Sequence, residues 1–271
     1  MSFRLAWVTD PHFDHASVGA LTAHVAALHG EAPDAVLVTG DFATAASLPK
    51  WLRAYRRMVE RPVYFILGNH DFWGGSVAEG REAALRTASG LEGLTYLTRA
   101  EPVTLTPGVA LVGHDGWYDA RAGRWQEPRF RMQDWEQVAE YAGKGSHTEV
   151  VTASRALADA GRVELVPKVA AAARGHATVL VATHVPPWPR PAGTGRHPDG
   201  IWIAPWYVAQ GLGEDLERVA AAHPAVQFRV FAGHDHARRP GTAIAPNLTC
   251  HVGRARYGHP AVERVLELGE R

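Results

Sequence analysis

The chain has 271 residues, with 28 Lys and Arg against 28 Asp and Glu, 15 His and a single Cys. With 46% apolar and 21% charged residues it has an ordinary globular composition, which excludes disorder, and its zero formal charge argues against a strongly basic surface that grips polynucleotide. The lone Cys250 cannot form an internal disulfide and no apolar stretch approaches the roughly 18 residues of a membrane span, so a soluble cytoplasmic protein is expected.

The first apolar run, Phe3–Val8, reads as a buried strand and leads directly into Asp10 and His12, leaving no room for a signal peptide. Leu21, Val25 and Leu28 then recur at i, i+4 and i+7, the spacing of one helix face. A second strand is expected over 35–38. Ser47 followed by Pro49 marks a helix entry before Trp51, Leu52, Tyr55 and Met58. A third strand at 63–67 precedes a helix candidate at 79–88, whose start is weakened by Gly74, Gly75 and Gly80. Pro107-Gly108 predicts a hairpin into a strand at 109–112, and further strands are expected at 179–182 and 228–231. Strand alternating with helix argues for an α/β architecture with parallel strands at first, organised as one domain over residues 1–271. There is no internal repeat.

Two stretches break the rhythm. Residues 116–161 are polar, Arg-rich and Trp-containing with weak periodicity, and read as an insertion that forms a cap. Residues 185–204 hold five prolines and three glycines, and read as a long functional or mobile loop without secondary structure.

The chemistry lies just beyond the apolar runs, which end in Asp10-Pro11-His12, Gly40-Asp41, Gly68-Asn69-His70-Asp71, Thr183-His184 and Gly233-His234-Asp235-His236. Asp, Asn and His are ligands for divalent transition metals. Any one such ending is commonplace: Gly-Asp is a turn signal, and a lone His near a strand end is usually structural. Five together are another matter, because the carboxyl ends of strands in an open α/β sheet converge on one crevice. Gly40, Gly68 and Gly233 each precede a candidate ligand and would let the backbone turn sharply off its strand.

In this order, the five segments resemble the signature of the calcineurin-like metallophosphoesterases. The resemblance implies a four-layer α/β/β/α sandwich carrying two metal ions at the strand ends. It implies that Asp10, His12 and His236 hold one metal, that Asn69, His184 and His234 hold the second, and that Asp41 bridges both. His70 would face the substrate, hydrogen-bonding the phosphoryl group or protonating the leaving oxygen. One departure stands out. Many members continue the second segment as Gly-Asp-x-x-Asp, the last Asp orienting the catalytic His, whereas here Thr44 occupies that position. A hydroxyl cannot stabilise an imidazolium as a carboxylate does, which leaves Asp71 or a backbone carbonyl to orient His70.

Such a site answers the two difficulties of phosphoester hydrolysis. Metals about 3.5–4 Å apart share a water, lower its pKa towards about 7 and neutralise the phosphoryl oxygens. The mixed Asp, Asn and His set suits Mn, Fe, Zn or Co. The expected activity is therefore metal-dependent hydrolysis of a small phosphomonoester or phosphodiester. A nuclease is the alternative enzyme, disfavoured by the balanced charge, and a non-catalytic scaffold would show eroded ligands, which this chain does not.

Other candidates are weaker. His114-Asp115 closes a strand and reads either as a substrate contact at the crevice rim or as a plain loop element. Seven of the nine tryptophans fall in irregular regions, where they give the insertions a core of their own. Trp73 and Trp188, close to His70 and His184, are expected instead to wall the cleft, with Arg121, Arg124, Arg190 or Arg196 available to pair with phosphate. The remaining histidines, His24 and His29 among them, are assigned structural or solvent roles.

Overall fold

Continuous apolar runs need cover on both faces, and in the computed structural model, which describes residues 2–127, 129–194, 198–237 and 239–269, they have it. The strands are β1 (Phe3–Val8), β2 (Ala35–Thr39), β3 (Val63–Ile66), β4 (Leu94–Tyr96), β5 (Val103–Thr106), β6 (Val109–His114), β7 (Thr178–Thr183), β8 (Gln227–Ala232), β9 (Arg239–Ala245), β10 (Leu248–Val252) and β11 (Arg264–Leu268). They form a five-stranded sheet in the order β11-β1-β2-β3-β4 and a six-stranded sheet in the order β5-β6-β7-β8-β10-β9. β1 to β4 pair in parallel, as do β6, β7, β8 and β10, while β11, β5 and β9 close the edges antiparallel.

Period-two alternation sorts each strand into two faces. Leu5 and Trp7 of β1 and Ala35 and Leu37 of β2 meet Leu111, Leu180, Ala182 and Phe231 between the sheets. Ala6, Val8, Val36 and Val38, one residue out of phase, belong to the core beneath the helices. The result is the four-layer α/β/β/α sandwich. The first sheet is covered by α1 (Val18–Gly30), α2 (Leu48–Val59) and α3 (Val77–Ser89), and the second by α5 (His147–Ala173) and α7 (Gln210–Ala222). α3 starts two residues before the expected position because Ser76 and Glu79 form a reciprocal capping box that offsets the glycines. The hairpin at 107–108 joins β5 to β6 as expected.

Of residues 116–161, only the part before 147 departs from the layers. It holds the short α4 (Asp134–Gln137) and a turn at Ala139–Tyr141, and is tied to the loop after β3 by Gly74 N to Gln137 O (2.8 Å) and Ala139 N to Gly75 O (2.9 Å). From 147, α5 runs through residue 161 as part of the outer layer. The proline-rich stretch differs from its expected form: it ends in α6 (Gly200–Tyr207), whose Trp206 is buried. Among the described residues no helix is long and apolar enough to cross a membrane.

Candidate metal centre

The loops after the parallel strands continue their pairing beyond the sheet. Asp10 N donates to Gly40 O (3.2 Å), His12 N to Asp41 O (2.9 Å), and Gly233 N to His184 O (2.9 Å). The turns that achieve this are strained. Of the eight non-glycine residues with positive φ among the described residues, five are Asp10 (44°), His12 (40°), Asp41 (56°), His234 (70°) and His236 (58°). Each left-handed residue of this kind costs about 1–3 kcal/mol and persists only where its surroundings hold it. The buried Asp71 does part of the holding, accepting from Asp41 N (2.9 Å), Ala43 N (3.0 Å) and Gly68 N (2.8 Å). It orders the backbone of the site and does not orient His70. Among the three glycines, only Gly40 has positive φ (92°). Gly68 is required by close approach instead, since a Cβ there would lie 2.5 Å from His184 Cε1 and 2.7 Å from Asp41 N.

These turns gather all seven candidate ligands at one end of the sandwich, and they fall into two groups. In the first, one donor atom each from Asp10, His12, Asp41 and His236 lies within 4.8 Å of the others. His12 Nε2 and His236 Nε2 are 3.2 Å apart, and His236 Nε2 is 3.5 Å from Asp10 Oδ1. In the second, Asn69 Oδ1 lies 3.0 Å from His184 Nε2 and 2.9 Å from His234 Nδ1. Asp41 stands between the groups, with Oδ2 3.8 Å from His12 Nε2 and Oδ1 3.4 Å from His184 Nε2.

Outer hydrogen bonds settle the tautomers. His184 Nδ1 donates to Thr39 O (2.9 Å) and His234 Nε2 to Trp206 O (3.0 Å), because carbonyls only accept. The remaining nitrogens, His184 Nε2 and His234 Nδ1, therefore present lone pairs towards the Asn69 oxygen. Burial pushes the imidazoles of His12 to about 3 and of His234 to about 3, which keeps them neutral near pH 7. Burial pushes both carboxyls upward. At Asp10 the His236 hydrogen bond and the nearby imidazoles reverse that push, and the group sits well below the ordinary range. At Asp41 the Asp10 charge adds to it, and the group sits well above. Neutral imidazoles with converging lone pairs beside two crowded carboxyls form a donor set that a divalent cation satisfies.

His70 borders this cluster, its Nε2 3.9 Å from Asp41 Oδ2. Burial pushes its imidazole down to about 2. Its ring stacks on Trp73 with centroids 3.6 Å apart, and Tyr257 OH lies 3.4 Å from its Nε2. A cleft of about 310 Å³ opens beside it, lined by Asp41, Asn69, Trp73, Arg131, Asp134 and Tyr257, among others. Three of these residues were not expected from the sequence. Tyr257 covers the His12 ring (centroids 4.3 Å apart) and Arg131 stands at the cleft wall. Asp134 is buried and accepts from Asn69 Nδ2 (2.8 Å) and Trp73 Nε1 (2.6 Å).

Several expected contacts lie elsewhere. Trp188 is not on the cleft; its Nε1 donates to Glu217 Oε1 (2.7 Å) under α7. Arg121 pairs with Asp119 and Asp159, Arg124 with Glu127, and Arg190 donates to Ala243 O, so none of the three faces the cleft; Arg196 lies outside the described residues. His114 and Asp115 are fully buried rather than at the rim. Asp235 accepts from Ala237 N (2.6 Å), and His24, as expected, packs in the core with its Nε2 3.0 Å from Tyr55 OH.

Residues 3–238 match the sequence model of the calcineurin-like phosphoesterases. Solved structures similar to the chain include a phosphopantetheinyl hydrolase from Mycobacterium tuberculosis, with 15% identity, a TM-score of 0.64, and 95% of this chain and 90% of that one covered. A dimetal phosphatase from Danio rerio is similar at 16% identity and a TM-score of 0.61, over 99% and 93% of the two chains. A protein of Thermus thermophilus is similar at 11% identity and a TM-score of 0.52, over 94% and 90%. No curated protein matches the sequence.

Proposed function

Because the chain belongs to the calcineurin-like phosphoesterase family, we propose that it hydrolyses small phosphomonoesters or phosphodiesters with two divalent transition-metal ions. The observation that carries this reading is the placement of Asp41, one carboxylate oxygen towards each group of ligands. Asp10, His12 and His236 would hold one ion and Asn69, His184 and His234 the other, with Asp41 within reach of both groups. When bound, the ions supply a water acidified towards neutral pH and neutralise the phosphoryl oxygens.

The protein does the rest. The two ligand groups, joined by one carboxylate, lie beside a single cleft where a phosphoryl group would be received. His70, kept neutral by its burial, offers an N–H to the phosphoryl group. The negative charge of a bound phosphoester favours uptake of a second proton from solvent by this imidazole, and the leaving alkoxide takes that proton. Phe130 and Arg131, from the segment 116–161 expected to form a cap, wall the cleft and set what fits beside the metals. Trp73 and Tyr257 flank it with aromatic surface.

The test is a hydrolysis screen across nucleotides, cyclic nucleotides, phosphoproteins, phospholipid head groups, sugar phosphates and short DNA and RNA, with Mn, Fe, Zn or Co supplied in turn. Turnover of a small ester that a chelator abolishes and metal restores is expected. Asp41→Asn should lower metal occupancy, and full two-metal loading in that variant would count against the shared carboxylate. A protein carrying two ions that cleaves none of these compounds would overturn the reading.

A further inference from the structure

Asn69 presents a problem of orientation. Its carboxamide oxygen and nitrogen are nearly equal in size, and the oxygen faces two ring nitrogens, His184 Nε2 at 3.0 Å and His234 Nδ1 at 2.9 Å. Both nitrogens offer lone pairs, because their partner nitrogens carry the protons donated to Thr39 O and Trp206 O. Left alone, the amide gains by turning over and donating its N–H groups to those imidazoles. That arrangement would fill the second ligand group with hydrogen bonds and remove its oxygen donor.

The far side of the amide decides otherwise. Asn69 Nδ2 donates to Asp134 Oδ1 at 2.8 Å, and this buried carboxylate oxygen is also the acceptor for Trp73 Nε1 at 2.6 Å. That oxygen already serves as the acceptor for Trp73, so a reversed amide would set oxygen against oxygen. Trp73 in turn lies flat against His70, with ring centroids 3.6 Å apart. Asp134 is itself fixed: its carbonyl accepts from Val138 N (2.9 Å) at the end of α4, where the chain bridges to the loop after β3.

We propose that Asp134 is a positioning residue for both halves of the site, holding the Asn69 oxygen towards the second metal and the Trp73 ring beneath His70. The proposal rests on the two-metal reading above. It assigns the segment before α5 a part in the metal site as well as in the cleft wall, and it supplies from 90 residues downstream of Thr44, by way of a tryptophan, the support that Thr44 cannot give His70.

The experiment is isothermal titration of the metal-free full chain with manganese, alongside kcat and KM. In Asp134→Ala one of two manganese sites should weaken by about 10–100-fold while the other holds its affinity. Asp134→Asn, whose amide oxygen still accepts from both donors, should recover most of that loss. Trp73→Phe keeps the stacked ring but loses the hydrogen bond; it should bind manganese as the wild type does, with kcat lowered about tenfold at unchanged KM. Two undisturbed sites and wild-type kcat in Asp134→Ala would overturn the proposal. So would equal weakening of both sites with no recovery in Asp134→Asn, which is the behaviour of an ordinary core residue. A wild-type chain that binds no manganese pair would instead overturn the underlying two-metal reading.

Discussion

A histidine that meets a phosphoryl group needs a ring held in one plane, and at His70 the hold is aromatic. Trp73 lies against one face and Tyr257 reaches Nε2, while Asp41 Oδ1 accepts from the His70 backbone N–H at 2.9 Å. Thr44 spends its backbone N–H on Asp14 Oδ2 (3.1 Å). His70 sits beside the candidate ligands, its Nε2 3.9 Å from Asp41 Oδ2, and is proposed to act on substrate without holding an ion. Replacing it with Ala should leave two metals bound and lower turnover by about 10²–10⁴-fold. Metal content by mass spectrometry and kcat on an unactivated ester check this together; wild-type turnover, or loss of a metal, would refute the assignment. That the seven ligand candidates and His70 gather at one place was legible because each lies in a segment just beyond an apolar run. Asp134, Tyr257 and Arg131 were not legible, because none of them follows an apolar run and neither period nor neighbour marks them.

At the scale of elements, the site depends on how the two sheets are registered at their carboxyl ends. Asp115, just beyond β6, accepts from Leu67 N (2.8 Å) at the end of β3, from Tyr96 OH (2.6 Å) in β4, from Thr98 Oγ1 (2.8 Å) and from Arg81 Nε (2.9 Å) in α3. It clamps the second sheet to the loop that carries Asn69. Burial pushes this carboxyl up, but Arg81 and the hydrogen bonds outweigh it and hold it below its ordinary value. Asp115→Ala leaves a largely buried guanidinium without its carboxylate and should cost about 3–5 kcal/mol in chemical denaturation. A loss under about 1 kcal/mol, the range of an exposed pair, would show that the clamp is unimportant. The strands feeding the site could be read from composition, whereas α5 could not. Its buried stripe includes Ser154, Ala158 and Gly161, small residues with little hydropathy contrast, and Gly161 is small because a Cβ would lie 2.9 Å from His114 Cε1. β9 and β11 escaped notice for a related reason, being edge strands that carry Arg, Thr or Glu.

For the molecule as a whole, the candidate ligands divide between the sheets. Asp10, His12, Asp41 and Asn69 follow strands of the first, and His184, His234 and His236 follow strands of the second. Cations held here would therefore act across the seam between two layers, opposing the crowding of the Asp10 and Asp41 carboxyls and the strain of five left-handed residues. Metal that binds the folded chain and not the unfolded one stabilises by about 2.7 kcal/mol per site at a hundredfold excess over Kd. At about 2–4 °C per kcal/mol for a chain near this size, a single such site raises Tm by roughly 5–11 °C. Calorimetry should show Tm falling by at least that amount when a chelator strips the protein, and recovering with added manganese in a concentration-dependent way. The same titration on Asp41→Asn should give a smaller rise, because the carboxylate common to both ligand groups is gone. If chelator and manganese leave Tm unmoved while circular dichroism reports a folded chain, the two sheets meet without help from metal, and the strained turns are held by Asp71 and the backbone pairing alone.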